Sequence, residues 1–258
     1  MRVALAYSTK DRVELTERSI MRVSSDKCDV FWNDGSNSSG ACAFHHSGLK
    51  IFEFKQRTRV TGGADAAIVF ALTQMLADPS YTHVGLLEND VFLEPAWFEK
   101  TMALFERGRD EGLDVGAVTA RTYEDRILIQ RDGYAVLHNA GAGHVIFTRK
   151  AAELVLEFFR TGWWADNRRI FSQLSGLDIG NWGAFRTYDT PTTADWHFDT
   201  ILAAHGYAVL GLTPSPVEMI GQETPLEEQG LALAKSPMHA LDDLSAFRKF
   251  VHHTRCVR

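Results

Sequence analysis

The feature that most constrains this chain is an alternation of short apolar runs with helix-forming stretches. Val3 to Tyr7 is apolar and ends in polar Ser8-Thr9-Lys10; Leu15 to Val23 then reads as a helix. Cys28 to Trp32 and Leu49 to Phe54 repeat the strand character, with the Gly, Asn and Ser run from Asn33 to Gly40 as a loop between them. Gly62-Gly63-Ala64-Asp65 leads into Ala66 to Ala77, rich in good helix formers, and Thr82 to Leu87 returns to strand. Pro95 can open the next helix, because its missing N–H is not needed in a first turn, and Trp97, Phe98, Met102 and Phe105 supply apolar positions. Val115 to Thr119 is another strand. This order predicts a largely parallel α/β sheet with ligand loops at the carboxyl ends of its strands.

The second half is less regular. Ile127 to Gln130 and Tyr134 to His138 fit a hairpin around Arg131-Asp132-Gly133, Val145 to Phe147 a strand, and Lys150 to Phe159 a helix. The Gly, Trp, Asn and Arg content of Trp163 to Thr190 predicts irregular, substrate-facing structure, followed by a helix from about Asp195 to His205.

The 258 residues suffice for one large core, or for a core with a small subdomain, and 45% hydrophobic with 23% charged is ordinary globular composition. A formal net charge of -6 argues against a broad nucleic-acid footprint but leaves room for a local basic cleft. Cys28, Cys42 and Cys256 are scattered, without zinc-ligand spacing, and read as reduced cytosolic thiols. No apolar run reaches bilayer length, and no signal-peptide core follows Met1, so a cytoplasmic protein is expected. Leu241, Leu244, Phe247 and Val251 form one apolar face flanked by Arg248, Lys249 and other basic residues. That tail is expected to pack on the domain, with weak contact to the inner face of a membrane or to an oligomeric partner as the alternative.

The strand Thr82 to Leu87 ends in acid: Leu87-Glu88-Asn89-Asp90, with Pro95 downstream. In extended chain Glu88 and Asp90 would share a face; a turn would let one meet a metal while the other contacts sugar or bound water. A hard cation such as Mg²⁺ or Mn²⁺ takes oxygen ligands, bridges phosphates and neutralises a departing diphosphate. A solvated turn or helix cap is the bland alternative.

Four pieces in order resemble the nucleotide-sugar-dependent glycosyltransferases of the GT-A fold, especially the large inverting, polysaccharide-building family. Trp32-Asn33-Asp34-Gly35-Ser36 resembles its D-D-G-S segment, and Gly62-Gly63-Ala64-Asp65 its glycine-rich loop. Glu88-Asn89-Asp90 followed by Pro95 resembles D-x-D, and Ala194-Asp195-Trp196-His197-Phe198-Asp199 before Gly206-Tyr207 the E-D segment. The resemblance covers about residues 1–221. It implies a GT-A-like, Rossmann-like, mostly parallel sheet flanked by helices, with a smaller irregular acceptor-side region. It divides a single domain of 1–258 into a nucleotide-sugar-binding half (1–120), an acceptor-side and catalytic half (121–221), and a mobile loop with a C-terminal helical tail (222–258).

Carried over by position, the resemblance implies that Asp34, and Asn33 in place of the usual first aspartate, contact base or ribose, with Tyr7 and Ser8 framing the base. Gly62 and Gly63 let backbone approach the ligand, and Asp65 binds nucleotide or caps the helix after it. Asp90 becomes the Mn²⁺ or Mg²⁺ ligand; Glu88 takes sugar or a water-mediated metal contact. Asp195 is the general base of an inverting transfer, with Asp199 or His197 compensating for Ala194. Met219 stands where relatives carry a metal-binding histidine, leaving Glu218 or His239 as substitutes. Trp163, Trp164, Trp182, Arg168 and Arg169 would line the acceptor side, and Asn139 to His144 would wrap donor sugar or acceptor. The donor is a nucleotide diphosphate sugar, a UDP-sugar being slightly favoured, and the acceptor a saccharide or glycoconjugate hydroxyl. A retaining transferase, a nucleotidyltransferase and a noncatalytic nucleotide-sugar-binding assembly protein are the alternatives.

Overall fold

The first strand, β1 (Val3–Thr9), is buried except at half-buried Ser8 and lies inside the sheet rather than at its edge. The computed structural model describes residues 1–23, 26–48, 54–60, 63–137, 140–141, 143–161, 198, 201–203 and 205–220. After β1 come α1 (Val13–Ile20), β2 (Asp29–Asp34), α2 (Ser39–Gly48), β3 (Gln56–Arg59) and α3 (Gly63–Leu76). The chain then crosses to the other side of β1 with β4 (His83–Glu88), β5 (Val91–Leu93), α4 (Trp97–Asp110) and β6 (Val115–Thr119). A hairpin of β7 (Ile127–Arg131) and β8 (Tyr134–Leu137) precedes β9 (His144–Thr148), α5 (Arg149–Thr161), β10 (Ala208–Leu212) and β11 (Val217–Met219).

The large sheet has the order β3-β2-β1-β4-β9-β6-β10-β8-β7. β2, β3 and β4 run parallel to β1; β9 is antiparallel to both β4 and β6; β10 is parallel to β6; and β8 is antiparallel to β10 and β7. Only β8 and β9 therefore oppose the common direction. Buried side chains divide between the two faces. Leu5, Tyr7, Trp32 and Leu87 join a core with Trp97 and Met102 of α4; Ala4, Ala6, Phe31 and Leu86 pack with Leu72 and Met75 of α3 and Val155 of α5. Consecutive strand residues point to opposite faces, so each strand serves both cores, and this is why these runs are apolar without alternation.

Several boundaries differ from expectation. β3 begins at Gln56, past the apolar run, and Phe54 lies outside it; residues 49–53 are outside the described residues. β3 is the edge strand, and a polar Gln-Arg-Thr-Arg edge is how a sheet avoids pairing with other chains. Ser39 to Gly48 is helical, so the loop after β2 ends before Gly40. Pro95 does not open α4: the helix begins at Trp97, after Ala96 at φ 62. The preceding turn is pinned on the other side by β5, which pairs with β11 in a second small sheet. The helix expected from Asp195 is described only at Phe198 and Ile201–Ala203, which are helical. No helix among the described residues is long and apolar enough to cross a membrane. Cys28 is buried, and half-buried Cys42 donates its Sγ–H to the Ser36 carbonyl at 3.4 Å; Cys256 and the loop and tail expected at 222–258 fall outside the described residues.

Candidate functional site

The strand order reverses at β1: the chain moves outward through β2 and β3, then returns to pair β4 on the opposite side. In such sheets the carboxyl ends on either side of the reversal diverge and leave a crevice. Here a cleft of about 400 Å³ opens there. Ser8 is in register with Asn33 on one side and Glu88 on the other, so these three side chains form a row on one face. Lys10, Arg12, Asn89 and Asp90 complete one wall, and Ala67 and Ile68 of α3 another.

Asn33 is 2% exposed, and neither its Nδ2 nor its Oδ1 has a hydrogen-bond partner among the described residues. A buried amide left in that state is costly, and native folds retain such groups for a reason. At the opposite end of the cleft, Asp90 Oδ2 accepts a 2.8 Å hydrogen bond from Arg12 Nη1, while its Oδ1 is buried without a partner among the described residues. The amide and the unpaired carboxylate oxygen bracket the same space.

The loops around the cleft are tied together. Asp11, at φ 52, accepts the N–H groups of Asn37 and Ser38 through Oδ1 and donates its own N–H to Ser36 Oγ. The Ser38 and Asn37 amides hold its carboxyl below the usual carboxylate range. Asn89, between the two acids, donates its N–H to the Ser8 carbonyl and its side-chain amide to Thr16 Oγ1 at 2.8 Å. It fixes the turn after β4 against β1 and α1, which sets where Asp90 points.

Two expected base contacts belong elsewhere. Tyr7 is fully buried on the opposite face, its hydroxyl 2.6 Å from Ser19 Oγ, and desolvation pushes the phenol's pKa well above normal. It is a core residue, as adjacent strand positions require when Ser8 faces the cleft. Asp34 is 1% exposed, and its Oδ1 accepts the Ser36 N–H at 3.0 Å and the Thr9 hydroxyl at 3.3 Å; it shapes the loop after β2. Asp65 lies inside α3, whose first residue is Gly63, so it is not an N-cap; Gly62 is outside the described residues.

His144 is also reassigned. It starts β9, is 3% exposed, packs edge-on against Trp97 and accepts the Ala120 N–H through Nδ1 at 3.1 Å. Burial pulls it down to about 4, so it is a neutral structural histidine. β11 brings Met219 opposite Val91, and Ile220 donates its N–H to the Asp90 carbonyl at 2.8 Å. The segment with the expected Met219 thus does reach the acid turn, but Glu218 is exposed opposite Phe92, and no group of three His, Cys, Asp or Glu residues suited to a metal occurs among the described residues. Asp195, His197, Asp199, His239, Asn139, Trp163, Trp164, Trp182, Arg168 and Arg169 lie outside them. Lys10, Arg12 and Asn89 were missed as site residues, although Lys10-Asp11-Arg12 directly follows the first strand, where ligand loops are expected.

No protein-family model and no curated protein sequence matches the chain. Among solved structures, S. aureus TarS 1-349 superposes with a TM-score of 0.51 at 10% identity, over 82% of this chain and 58% of that one. The fold is GT-A-like. The mannosyltransferase PcManGT from Pyrobaculum calidifontis, solved with GDP-Man and Mn²⁺, gives 0.48 at 16% identity over 99% of this chain and 69% of its own. The 4-diphosphocytidyl-2C-methyl-D-erythritol synthase from Anaerococcus prevotii gives 0.49 at 12% identity, over 86% and 92%. At such identities the likeness is one of fold, and the GT-A-like cleft must be read from its own residues.

Proposed function

We propose that this chain is a glycosyltransferase whose donor, a nucleotide diphosphate sugar, lies in the cleft between Asn33 and Asp90. The observation that carries this reading is that the Asn33 amide and Asp90 Oδ1 are buried without partners among the described residues at the two ends of one crevice, at the switch point of a GT-A-like sheet. An amide both donates and accepts, and a nucleobase edge offers the complement of both. A carboxylate oxygen buried with no partner among the described residues fits a hard divalent cation, so Asp90 would be the residue that holds Mn²⁺ or Mg²⁺. Such an ion, when bound, supplies charge neutralisation of the leaving diphosphate.

The chain's own groups divide the remaining work. Lys10 and Arg12 line the cleft as cations suited to phosphate oxygens. Ser8 and Glu88 sit in the row between base and acid turn, where Glu88 reaches ribose, sugar or metal-bound water. Gly63 and Asp65, in the first turn of α3, are the proposed backbone and charge contributions on that side, with Gly62 the further candidate outside the described residues. Asp195 is the proposed base that takes the proton from a saccharide or glycoconjugate hydroxyl as it attacks, giving inversion at the anomeric carbon. A UDP-sugar is the first donor to test.

Calorimetry with UDP-, GDP- and dTDP-sugars, with and without Mn²⁺, tests the reading, followed by slow donor hydrolysis for any that bind. NMR of the product anomer then tests inversion: an anomer matching the donor's would remove it. Asp195→Asn is expected to keep donor binding and lose transfer; normal transfer by that variant would remove Asp195 as the base.

A further inference from the structure

Beyond the cleft, a group of cationic and aromatic side chains follows β6. The chain leaves Thr119 through Ala120-Arg121-Thr122-Tyr123 into a short 3-10 turn, Glu124–Arg126. The Cζ atoms of Arg121 and Arg126 lie 3.9 and 4.1 Å from the centroid of the Tyr123 ring. Cation–π contact of this kind orients guanidinium planes but uses none of their N–H donors. Arg121 Nη1 is buried and has no hydrogen-bond partner among the described residues. Burial also lowers the proton affinity of Arg121 from its ordinary value, which Tyr123 and, to a smaller extent, Asp90 offset only in part.

The position of this group relative to the cleft is set by the sheet. β6 lies two places beyond β4, separated by β9, so at normal strand spacing its carboxyl end is roughly 10 Å from that of β4. It is on the side away from β2 and Asn33. The charges of Asp90 and Glu88, which line the cleft, both act on the Tyr123 phenol, so this group lies near the acid turn. Asp90 Oδ2 is taken by Arg12. The loop before β9 links the two: Gly143 accepts the Glu88 N–H through its carbonyl, and Gly141, at φ 73, leaves room for Arg126, whose Nη1 would be 3.1 Å from a Cβ there. The sequence along the carboxyl ends of the sheet is therefore amide, acids, guanidinium.

We infer that Arg121, with Tyr123 and Arg126 beside it, is a subsite for an anionic group, a carboxylate or phosphate, carried by the transferred sugar or by the acceptor. Guanidinium is the side chain that pairs two N–H donors with two such oxygens, and here Arg121 Nη1 is buried without a partner among the described residues. The assignment of the anion to sugar or acceptor rests on the proposed donor cleft; the existence of the subsite does not.

The test uses the full chain, Arg121→Gln and, as a control outside the group, Lys100→Gln on the exposed face of α4. Inorganic phosphate is titrated calorimetrically, alone and with the best-binding nucleoside diphosphate present. Loss of one charge-assisted contact predicts binding about tenfold to a hundredfold weaker in Arg121→Gln, with Lys100→Gln unchanged and all three proteins alike by circular dichroism. UDP-glucose and UDP-glucuronate are then compared. If the added carboxylate tightens binding in the wild type but not in Arg121→Gln, the anion is on the sugar. If the two donors bind alike and phosphate still binds beside UDP-glucose through Arg121, it is on the acceptor. Equal affinity of wild type and Arg121→Gln for phosphate and for UDP-glucuronate would overturn the subsite, as would an equal loss of neutral UDP-glucose. If no nucleotide binds either protein, the donor cleft fails while the phosphate titration still decides the subsite.

Discussion

Replacing Asn33 by leucine, close in shape but without polar atoms, separates a ligand-reading amide from a structural one. In the ligand-free fold both amide atoms are buried without partners among the described residues, and leaving a buried donor or acceptor unsatisfied costs about 1–3 kcal/mol. Asn33→Leu should therefore stabilise the free protein by roughly that amount, about 2–10 °C in Tm for a chain of this size. In the proposed complex the same change removes two hydrogen bonds to the base, each worth about 0.5–1.5 kcal/mol, so the nucleotide diphosphate should bind roughly 5- to 150-fold more weakly. Urea unfolding and calorimetric titration on the same preparations give both numbers. A destabilised Asn33→Leu with unchanged nucleotide affinity would refute the reasoning, because the amide would then be working for the fold.

Three further perturbations test other links. Arg12→Ala frees Asp90 Oδ2 and should raise Mn²⁺ affinity by up to about fivefold in the absence of nucleotide, the scale of a half-exposed ion pair, while weakening diphosphate binding; metal and UDP titrations check both signs. His144 is held at about 4 against an ordinary 6.5, so the folded state resists its protonation. The stability it contributes is whole above pH 6.5 and is lost as pH falls from 6.5 towards 4, by about 3 kcal/mol in all; unfolding series at several pH values should show this component in the wild type and not in His144→Gln. Gly85→Ala would place a Cβ 2.6 Å from Leu5 Cδ2 and 2.9 Å from the Val145 carbonyl, and because that carbonyl belongs to β9, destabilisation of about 1–3 kcal/mol is expected in urea.

The strands that built the sheet were legible because burial on both faces leaves a plain chemical mark. Val115–Thr119 is the strand expected from its apolar run, and His83–Glu88 differs by a single residue at each end. β3 lacked that mark because an edge strand gains from polarity, and β5 and β11 are three residues each, too short for any period to show. Within the site, the acid turn stood out because carboxylates end a buried strand, and Asn33 because an amide occupies a position where the resemblance implies a carboxylate. What pattern alone did not separate were neighbours on one strand: Tyr7 from Ser8, and Asp34 from Asn33. Alternation allows only one of each pair to face the cleft, and the face is decided by which core the other joins, a tertiary fact. Arg12 and Asn89 escaped for a related reason, since their partners, Asp90 and Thr16, are 78 and 73 residues away along the chain.

The central claim is that the space between Asn33 and Asp90 holds a nucleotide diphosphate with a divalent ion. The most direct measurement is calorimetric titration of UDP, GDP and dTDP into the wild type and Asp90→Asn, each with and without Mn²⁺. The account predicts that at least one nucleotide binds the wild type more tightly with Mn²⁺ and that Asp90→Asn loses most of that metal dependence. Absence of binding by all three in both conditions, or a metal dependence that survives in Asp90→Asn, would contradict it.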